Sequence, residues 1–238
     1  MAEEQVATNN NTEGIEIVNL LKNGQTARSR QEVRVNFSLD HNRKTSPSIE
    51  ESIEKIWREK CSNNTRLYNA SKFRIAGVQT MQPDVVELDI GITSYKDLMG
   101  TNCHAHGKKL VEYSKRNFNC KHAAFSDALG IGSLLLTSDQ QFLFIRRAMW
   151  TGEEPGKIDR AGGHPEPDKL TGRSNSNKEA EYQHLDCERV RDEIFDSVLS
   201  EIVDEINLPS STLSDPLLLG AVRSNERFGR PTLEFLVR

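Results

Sequence analysis

The chain has 238 residues, a formal net charge of −4 and a pI near 5.9, and aromatic residues make up only 6% of it. An acidic chain with few aromatics and no basic stripe lacks the electrostatic footprint and the stacking surface of a nucleic-acid-binding protein. It also has no apolar run long enough to span a bilayer, and its polar N-terminus is unlike a signal or transit peptide. We therefore expect a cytoplasmic protein with neither nucleic acid nor membrane as a partner.

The first half of the chain predicts short, mixed elements after a disordered start. Residues 1–14 are polar and acidic, and we expect them to be disordered. Strands are predicted over 32–39, 73–78 and 85–92, where branched and aromatic residues cluster or alternate. A helix is predicted over 48–60, which follows a proline and carries apolar residues at helical spacing.

The four cysteines of the chain, and two histidines beside one of them, give no clear metal or disulfide signal. No CxxC pair occurs among the four cysteines, so we expect reduced thiols. They are Cys61, Cys103, Cys120 and Cys187. His104 and His106 flank Ala105 beside Cys103, but a zinc site needs a second half that the chain does not offer, which favours a structural or surface role.

The second half of the chain predicts a hairpin and a glycine turn. Residues 133–139 and 141–147 predict two strands joined around 138–139. The sequence GGHPEP, residues 162–167, predicts a tight turn bounded by prolines. Residues 172–178, GRSNSNK, have the composition of a flexible insertion.

The stretch SEIVDEINL, residues 200–208, predicts the end of an amphipathic helix that carries three acids. Glu201, Asp204 and Glu205 stand at i, i+3 and i+4, so their side chains share one side of the helix. Asn207 tolerates the left-handed conformation that ends a helix. The cluster has two interpretations, a site for a hard cation such as Mg²⁺ or a solvated acidic face with basic partners. The helix itself is predicted from apolar residues at every fourth position, Val190, Ile194, Val198, Ile202 and Ile206.

The glycine turn followed by the acidic helix resembles the signature of the Nudix hydrolases. In that signature the helix reads R-E-U-x-E-E-x-G-U, where U is aliphatic, and the three acids fall on its acidic positions. Ser200 replaces the arginine, which in the family helps orient a metal-binding glutamate, and Asn207 replaces the glycine. Counting back along the motif puts Asp192 at the glutamate of the family's loop and Asp186 at its first glycine, so Gly163 is at best a displaced analogue.

Longer segments are similar to the Nudix branch that hydrolyses UDP-glucose and UDP-galactose. They include residues 91–102, 127–139 and 215–235. The resemblance implies an α/β (α+β) Nudix fold with a mixed β-sheet between helices. We expect a Nudix domain over 124–238, truncated at its C-terminus because the chain ends inside a predicted strand, and an accessory α/β region over 15–123.

The resemblance implies hydrolysis of the pyrophosphate bond of a nucleotide sugar, UDP-glucose or UDP-galactose, to UMP and a sugar 1-phosphate. It implies Mg²⁺ as cofactor and a small molecule as partner, and it leaves the oligomeric state open. The alternatives are a catalytically inactive Nudix module that binds a ligand and a GDP-mannose-type pyrophosphatase. Hydrolysis of capped RNA is disfavoured because the chain has no basic patch.

The same resemblance implies roles for individual residues. Glu201 and Glu205 are the expected catalytic metal ligands, with Asp204 as a further or water-mediated ligand. Arg147 is expected to bind the diphosphate, because a guanidinium fork matches phosphate oxygens, although it could be an ordinary strand-end charge.

Five other residues are implied as substrate contacts. His164 and Glu166 are expected to contact sugar hydroxyls or to transfer protons, unless they only face water. Asp159 resembles a substrate-contacting acid, or is an exposed loop acid. Tyr68 and Tyr95 are expected to contact the base, although half-buried tyrosines more often pack in a core.

Overall fold

The computed structural model describes residues 15–18, 27–81, 85–149, 156–171, 178–224 and 228–238. The predicted disordered start and nearly all of the predicted insertion at 172–178 lie outside these residues. The described part is a mixed α/β fold, which confirms the predicted fold class.

The larger of the two main sheets has six strands in the order β1-β10-β11-β5-β6, and β9 also pairs with β5. β11 runs parallel to β5 and the other pairs are antiparallel, so the sheet is mixed as predicted. The strands are β1 (Ile15–Val18), β5 (Gly130–Leu136), β6 (Phe142–Leu143), β9 (Ala161–Gly163), β10 (Leu217–Ser224) and β11 (Arg230–Val237).

The smaller main sheet has three strands in the order β2-β4-β3, with β2 parallel and β3 antiparallel to the central β4. Its strands are β2 (Val33–Phe37), β3 (Ser71–Met81) and β4 (Val85–Ser94). These strands, and the helix that lies between β2 and β3 in the chain, confirm the strands and the helix predicted for this half of the chain. The helices of the region are α1 (Pro47–Asn63), α2 (Tyr95–Gly100) and α3 (Gly107–Phe118).

The acidic helix is α5 (Cys187–Ile206), and it ends as the sequence predicts. Asp186 caps its start by accepting the backbone N–H of Arg189, and Asn207 ends it in the left-handed conformation with φ 61°. A shorter helix, α4 (Lys178–Tyr182), precedes it. Single 3₁₀ turns complete the described helices at Arg30–Glu32, Leu39–His41, Pro167–Lys169 and Ser210–Thr212.

The apolar face of α5 joins the two sheets in one core. Phe195 meets Phe235 of β11 edge to face, with ring centroids 5.2 Å apart, and the same cluster includes Phe73 of β3. Burying such a side chain completely contributes about 1.5 to 3 kcal/mol, so the shared core fixes the helix firmly. Because this core contains residues from both sides of position 124, the domain boundary there stays a prediction.

The segment 141–147 was predicted to form one strand, but it forms two short strands in the structure. β6 pairs with β5 across a turn at 137–141, which confirms the hairpin. After Phe144 the chain leaves this sheet, and β7 (Ile145–Arg146) pairs with β8 (Ile158–Asp159) in a two-stranded ribbon. The sequence hides the break because Phe142, Leu143, Phe144 and Ile145 form one continuous apolar run across both strands.

Among the described residues, no helix is long and apolar enough to cross a membrane. The predicted cytoplasmic location stays a prediction. None of the four cysteines, all of which lie in the described segments, forms a disulfide.

Candidate active site

The acidic helix lies against the glycine strand β9, and two of its glutamates touch that strand. The backbone N–H of Gly162 donates to Glu205 Oε2 at 3.0 Å. A Cβ added at Gly163 would overlap Glu201 Oε1 and lie 2.8 Å from Oε2, so only glycine permits this approach. The strand and the helix therefore hold two carboxylates one helical turn apart.

The two carboxylates lie in a site that disfavours their charge. Burial raises the pKa of Glu201, and the neighbouring charges of Glu205 and Asp204 raise it further, against the opposing effect of Lys169 and Lys72. Burial also raises the pKa of Glu205, although the Gly162 N–H and the Arg147 charge lower it. Carboxylates in this situation are stabilised by an added cation.

Basic side chains approach the pair from two other elements. Lys72 of β3 has a side chain only 10% exposed, and its Nζ lies 2.5 Å from Glu166 Oε1 in the glycine turn. Arg147 directly follows β7, and its Nη1 lies 3.2 Å from Oδ2 of Asp159, the last residue of β8. The site can therefore place positive charge beside an anionic ligand while its carboxylates hold a cation.

His164 is fixed in the same turn by two partners. Its Nδ1 lies 2.8 Å from the carbonyl oxygen of Leu129, and Arg230 Nη2 lies 2.8 Å from its Nε2. An arginine can only donate, so Nε2 is the acceptor and Nδ1 carries the proton that the carbonyl accepts. The ring is therefore oriented by Leu129, which immediately precedes β5, and by Arg230 of β11.

Asp159 lies between two arginines. It accepts from Arg147 and also from Arg160 Nη1 at 3.0 Å. Arg160 in turn forms a two-pronged ion pair with Glu234 of β11 and covers Gly132. Asp159 therefore orients Arg147 in this structure, and its predicted contact with substrate stays a prediction.

The two predicted tyrosines lie in different environments. Tyr68 is 73% exposed. Tyr95 begins α2 and packs edge to face on Trp57, with ring centroids 6.0 Å apart, in a small cluster with Leu98 and Met99. Tyr95 thus has the packing role that the sequence left open, and contact of either ring with a base stays a prediction.

The third acid does not complete a compact cluster. Asp204 is exposed, and within the described segments no three His, Cys, Asp or Glu side chains are placed to hold a metal ion together. The structure brings Glu201 and Glu205 together at β9, and the roles of these two and of Asp204 as metal ligands stay predictions.

Comparison with known proteins identifies the family. No family model matches the chain. The chain is 36% identical to the human uridine diphosphate glucose pyrophosphatase NUDT22 over 213 residues. This match covers 87% of the chain and 69% of the relative. It is 34% identical over 222 residues to Nudix hydrolase 9 of Arabidopsis thaliana, covering 88% of this chain and 70% of that protein. The chain belongs to the Nudix hydrolases. The predicted family and hydrolase class are confirmed.

The Nudix signature is altered in ways that the structure explains. Asp192 lies inside α5 and forms an ion pair with Arg30 at 3.5 Å. The assignment of Asp192 to the loop glutamate of the signature, made by counting along the motif, is therefore wrong. Asp186, counted to the first glycine, is instead the helix N-cap. Ser200, at the position of the signature arginine, donates its hydroxyl to the carbonyl of Asp196 at 3.1 Å.

Sequence reasoning missed Lys72 and Lys169, the two lysines whose charge opposes the pKa rise of Glu201. Lys169 lies 3.2 Å from Glu193 and is half exposed. Lys72 had a detectable signal, because a lysine is unusual in a strand whose neighbours Phe73 and Ile75 are core residues. Its partner, however, is 94 residues away and could not be named from the sequence.

Proposed function

We propose that this Nudix hydrolase cleaves the pyrophosphate bond of a nucleotide sugar, with UDP-glucose as the first candidate and UDP-galactose as the second, to give UMP and a sugar 1-phosphate. One observation carries the proposal: Glu201 and Glu205 are held one turn apart against the glycine strand, where basic side chains from β3 and the β7–β8 ribbon surround them. The names of the relatives supply the choice of substrate.

The two glutamates fit a divalent cation, which we propose to be Mg²⁺. Both offer hard oxygen donors, and Mg²⁺ is usually bound through one or two carboxylates together with water and substrate phosphate. The pKa of each is raised by burial and by neighbouring acids, so each carboxylate gains from an added positive charge. When bound, the ion would supply Lewis-acid stabilisation of the phosphoryl oxygens.

The protein's own residues bind and orient the diphosphate. Lys72 and Arg147 approach the carboxylate pair from β3 and from the ribbon, where each can neutralise charge that develops on phosphoryl oxygens. Each is now held by an acid, Glu166 or Asp159, which places the cation before the substrate arrives. Placement in advance lowers the reorganisation that accompanies the reaction.

His164 is suited to a hydrogen-bonding role in the turn. Its Nδ1–H is committed to the Leu129 carbonyl, and its Nε2 accepts from Arg230. A proton taken up at Nε2 would displace the Arg230 contact, so we assign the ring to positioning the turn. Glu166, bound by Lys72, is the candidate for contact with sugar hydroxyls.

A catalytically inactive Nudix module is the second candidate, and Ser200 in place of the signature arginine favours it. The test is to incubate the chain with UDP-glucose, UDP-galactose, GDP-mannose and ADP-ribose, with and without Mg²⁺, and to separate the products by chromatography. Metal-dependent release of UMP and a sugar 1-phosphate supports the proposal and ranks the substrates. Faster cleavage of GDP-mannose would move the assignment to that branch, and binding without turnover would establish the inactive module.

A further inference from the structure

The chain that follows the glycine strand runs along α5 in the direction opposite to the helix. Gly162 and Gly163 lie against the glutamates of the last two turns of α5. Lys169, in the 3₁₀ turn that comes next, contacts the middle of the helix. The carbonyl oxygen of Leu170 accepts from Arg189 in the first turn at 3.2 Å. The segment 162–170 therefore follows α5 over about 24 Å, at 1.5 Å per helical residue.

Lys169 binds the helix at two points. Its Nζ lies 3.2 Å from Glu193 Oε1 and 3.4 Å from Ser197 Oγ. The hydroxyl of Ser197 in turn donates to the same oxygen of Glu193 at 2.8 Å. The three groups thus form a closed triangle of contacts. Because Glu193 and Ser197 are one turn apart, the ammonium is held over a single face of α5.

The helix side of this triangle is shielded from water. Ser197 is 2% exposed, and the side chain of Glu193 is 10% exposed. A carboxylate in such surroundings is costly unless a cation compensates it, and Lys169 reaches it from outside the helix. Removing the lysine would leave a nearly buried charge without this cation, so the contact holds the turn to the helix more firmly than an open surface pair would.

The face of α5 that Lys169 contacts leads to the carboxylate pair. Glu193, Ser197 and Glu201 follow one another at intervals of four residues, and such residues lie in one row along a helix. Glu201 therefore lies one turn beyond Ser197, about 6 Å along the axis. Burial raises the pKa of Glu201 most, and the charge of Lys169 opposes that rise. The lysine thus acts on Glu201 as well as on Glu193.

Glu201 lies between two attachments of the segment to the helix. On one side the glycine strand donates a backbone hydrogen bond to Glu205, and on the other side Lys169 is bound to Glu193. Between these attachments Gly163 approaches Glu201 so closely that a Cβ would overlap its carboxylate. Packing this close is kept only while both attachments hold the segment in place.

We propose that Lys169 is a positioning residue of the metal site, which holds the segment 162–170 on α5 through Glu193 and so fixes the carboxylate of Glu201. The inference rests on the proposed function and adds to it a residue that touches neither substrate nor metal. Side chains that orient metal ligands from behind contribute strongly to affinity, and losing one commonly weakens metal binding about 10- to 100-fold.

The sign of the change in metal affinity tests this role. Lys169→Met removes a positive charge near the site, and Glu193→Gln removes a negative one. If these side chains act on the metal only through their charge, the first variant binds a divalent cation more tightly and the second binds it more weakly. If they hold the segment in place, both variants bind it more weakly.

The probe is Mn²⁺, which takes the same oxygen ligands as Mg²⁺ and whose free ion is measured by electron paramagnetic resonance. We expect each variant to raise the Kd of Mn²⁺ about tenfold. The double variant should raise it no further than either single variant, because both changes break one contact. Lys169→Arg should stay near the unmodified value, because its guanidinium can bind the same carboxylate.

Lys96→Met is the matched control. Lys96 of α2 forms an ion pair of the same length, 3.2 Å, with Glu54 of α1, and we place it outside the site. Its loss should leave the Kd of Mn²⁺ unchanged. Melting temperatures are recorded for every chain, and Lys169→Gln, which also removes the charge, replaces Lys169→Met should that variant not fold.

Three results would overturn the assignment of Lys169. They are shifts in opposite directions for Lys169→Met and Glu193→Gln, an unchanged Kd in the folded lysine variant, and no binding of Mn²⁺ by the unmodified chain. The outcome is separable from that of the proposed hydrolysis. Weaker binding in both variants without turnover of any nucleotide sugar leaves the assignment standing and refutes the hydrolysis, whereas turnover of UDP-glucose with opposite shifts does the reverse.

Discussion

Gly163→Ala is expected to disable the site by moving one carboxylate. The new Cβ would overlap Glu201 Oε1, which would have to retreat by about 1.4 Å, from 2.0 Å to an ordinary contact of 3.4 Å. The backbone at Gly163 has no positive φ, so the effect comes from the side chain alone. Misplacing a reacting group by about 1 Å can lower the rate about 100-fold, which corresponds to about 2.7 kcal/mol of transition-state stabilisation.

The assay compares kcat/KM for UDP-glucose across a Mg²⁺ titration. Gly77→Ala is the matched control, because its Cβ would lie 2.7 Å from Asp89 Oδ2, a carboxylate in the small sheet that we place outside the site. We expect the control to keep its activity and both variants to lose about 1 to 3 kcal/mol of stability from overpacking. Equal kcat/KM for Gly163→Ala and the unmodified chain at every Mg²⁺ concentration would show that Glu201 is not a catalytic ligand.

Three further changes test other parts of the site and the core. Glu205→Gln should abolish measurable turnover while the fold is retained. The control, Glu188→Gln at an exposed position of the same helix, should keep its turnover. Turnover of Glu205→Gln at the rate of the unmodified chain would show that Glu205 is not a metal ligand. Lys72→Met should lower kcat/KM for UDP-glucose by about tenfold to 100-fold, partly restored by arginine, and an unchanged value would give Lys72 a purely structural role. The carboxyl of Asp127 is buried, which opposes its charge, but His122 and two arginines hold its pKa below the ordinary value of 3.8. The charged carboxylate of Asp127 therefore stabilises the fold above pH 3.8. Asp127→Asn should lower the free energy of unfolding by about 3 kcal/mol at pH 7 and by progressively less below pH 3.8, as measured by denaturant titration. A loss of stability that does not depend on pH would contradict this.

Local patterns were enough to predict the helix and the hairpin. The four-residue spacing of apolar residues identified α5, and the left-handed Asn207 ended it at the predicted residue. The turn at 137–141 joined β5 and β6 as the alternation indicated. In each case the interactions that decide the structure lie within a few residues, so the sequence carries them directly.

The partners of the site residues could not be predicted in this way. The glycine turn reaches Glu205 across 43 residues and Lys72 across 94. The split of 141–147 into β6 and β7 depends on β8, a strand that follows a further stretch of chain. Periodicity reports which face of an element is buried, but it does not report which element covers that face.

The contacts of β3 make the N-terminal region part of the site. Three consecutive residues of this strand reach the second half of the chain by different interactions. Lys72 pairs with Glu166, the Phe73 carbonyl accepts the N–H of Leu129 at 2.8 Å, and Arg74 Nε donates to the carbonyl of Phe125 at 3.2 Å. A lysine side chain that is only 10% exposed has to be held within about 0.5 Å to serve an anionic substrate, and the two hydrogen bonds of the neighbouring residues provide that restraint. The proposed hydrolysis therefore depends on the N-terminal region as much as on the signature helix.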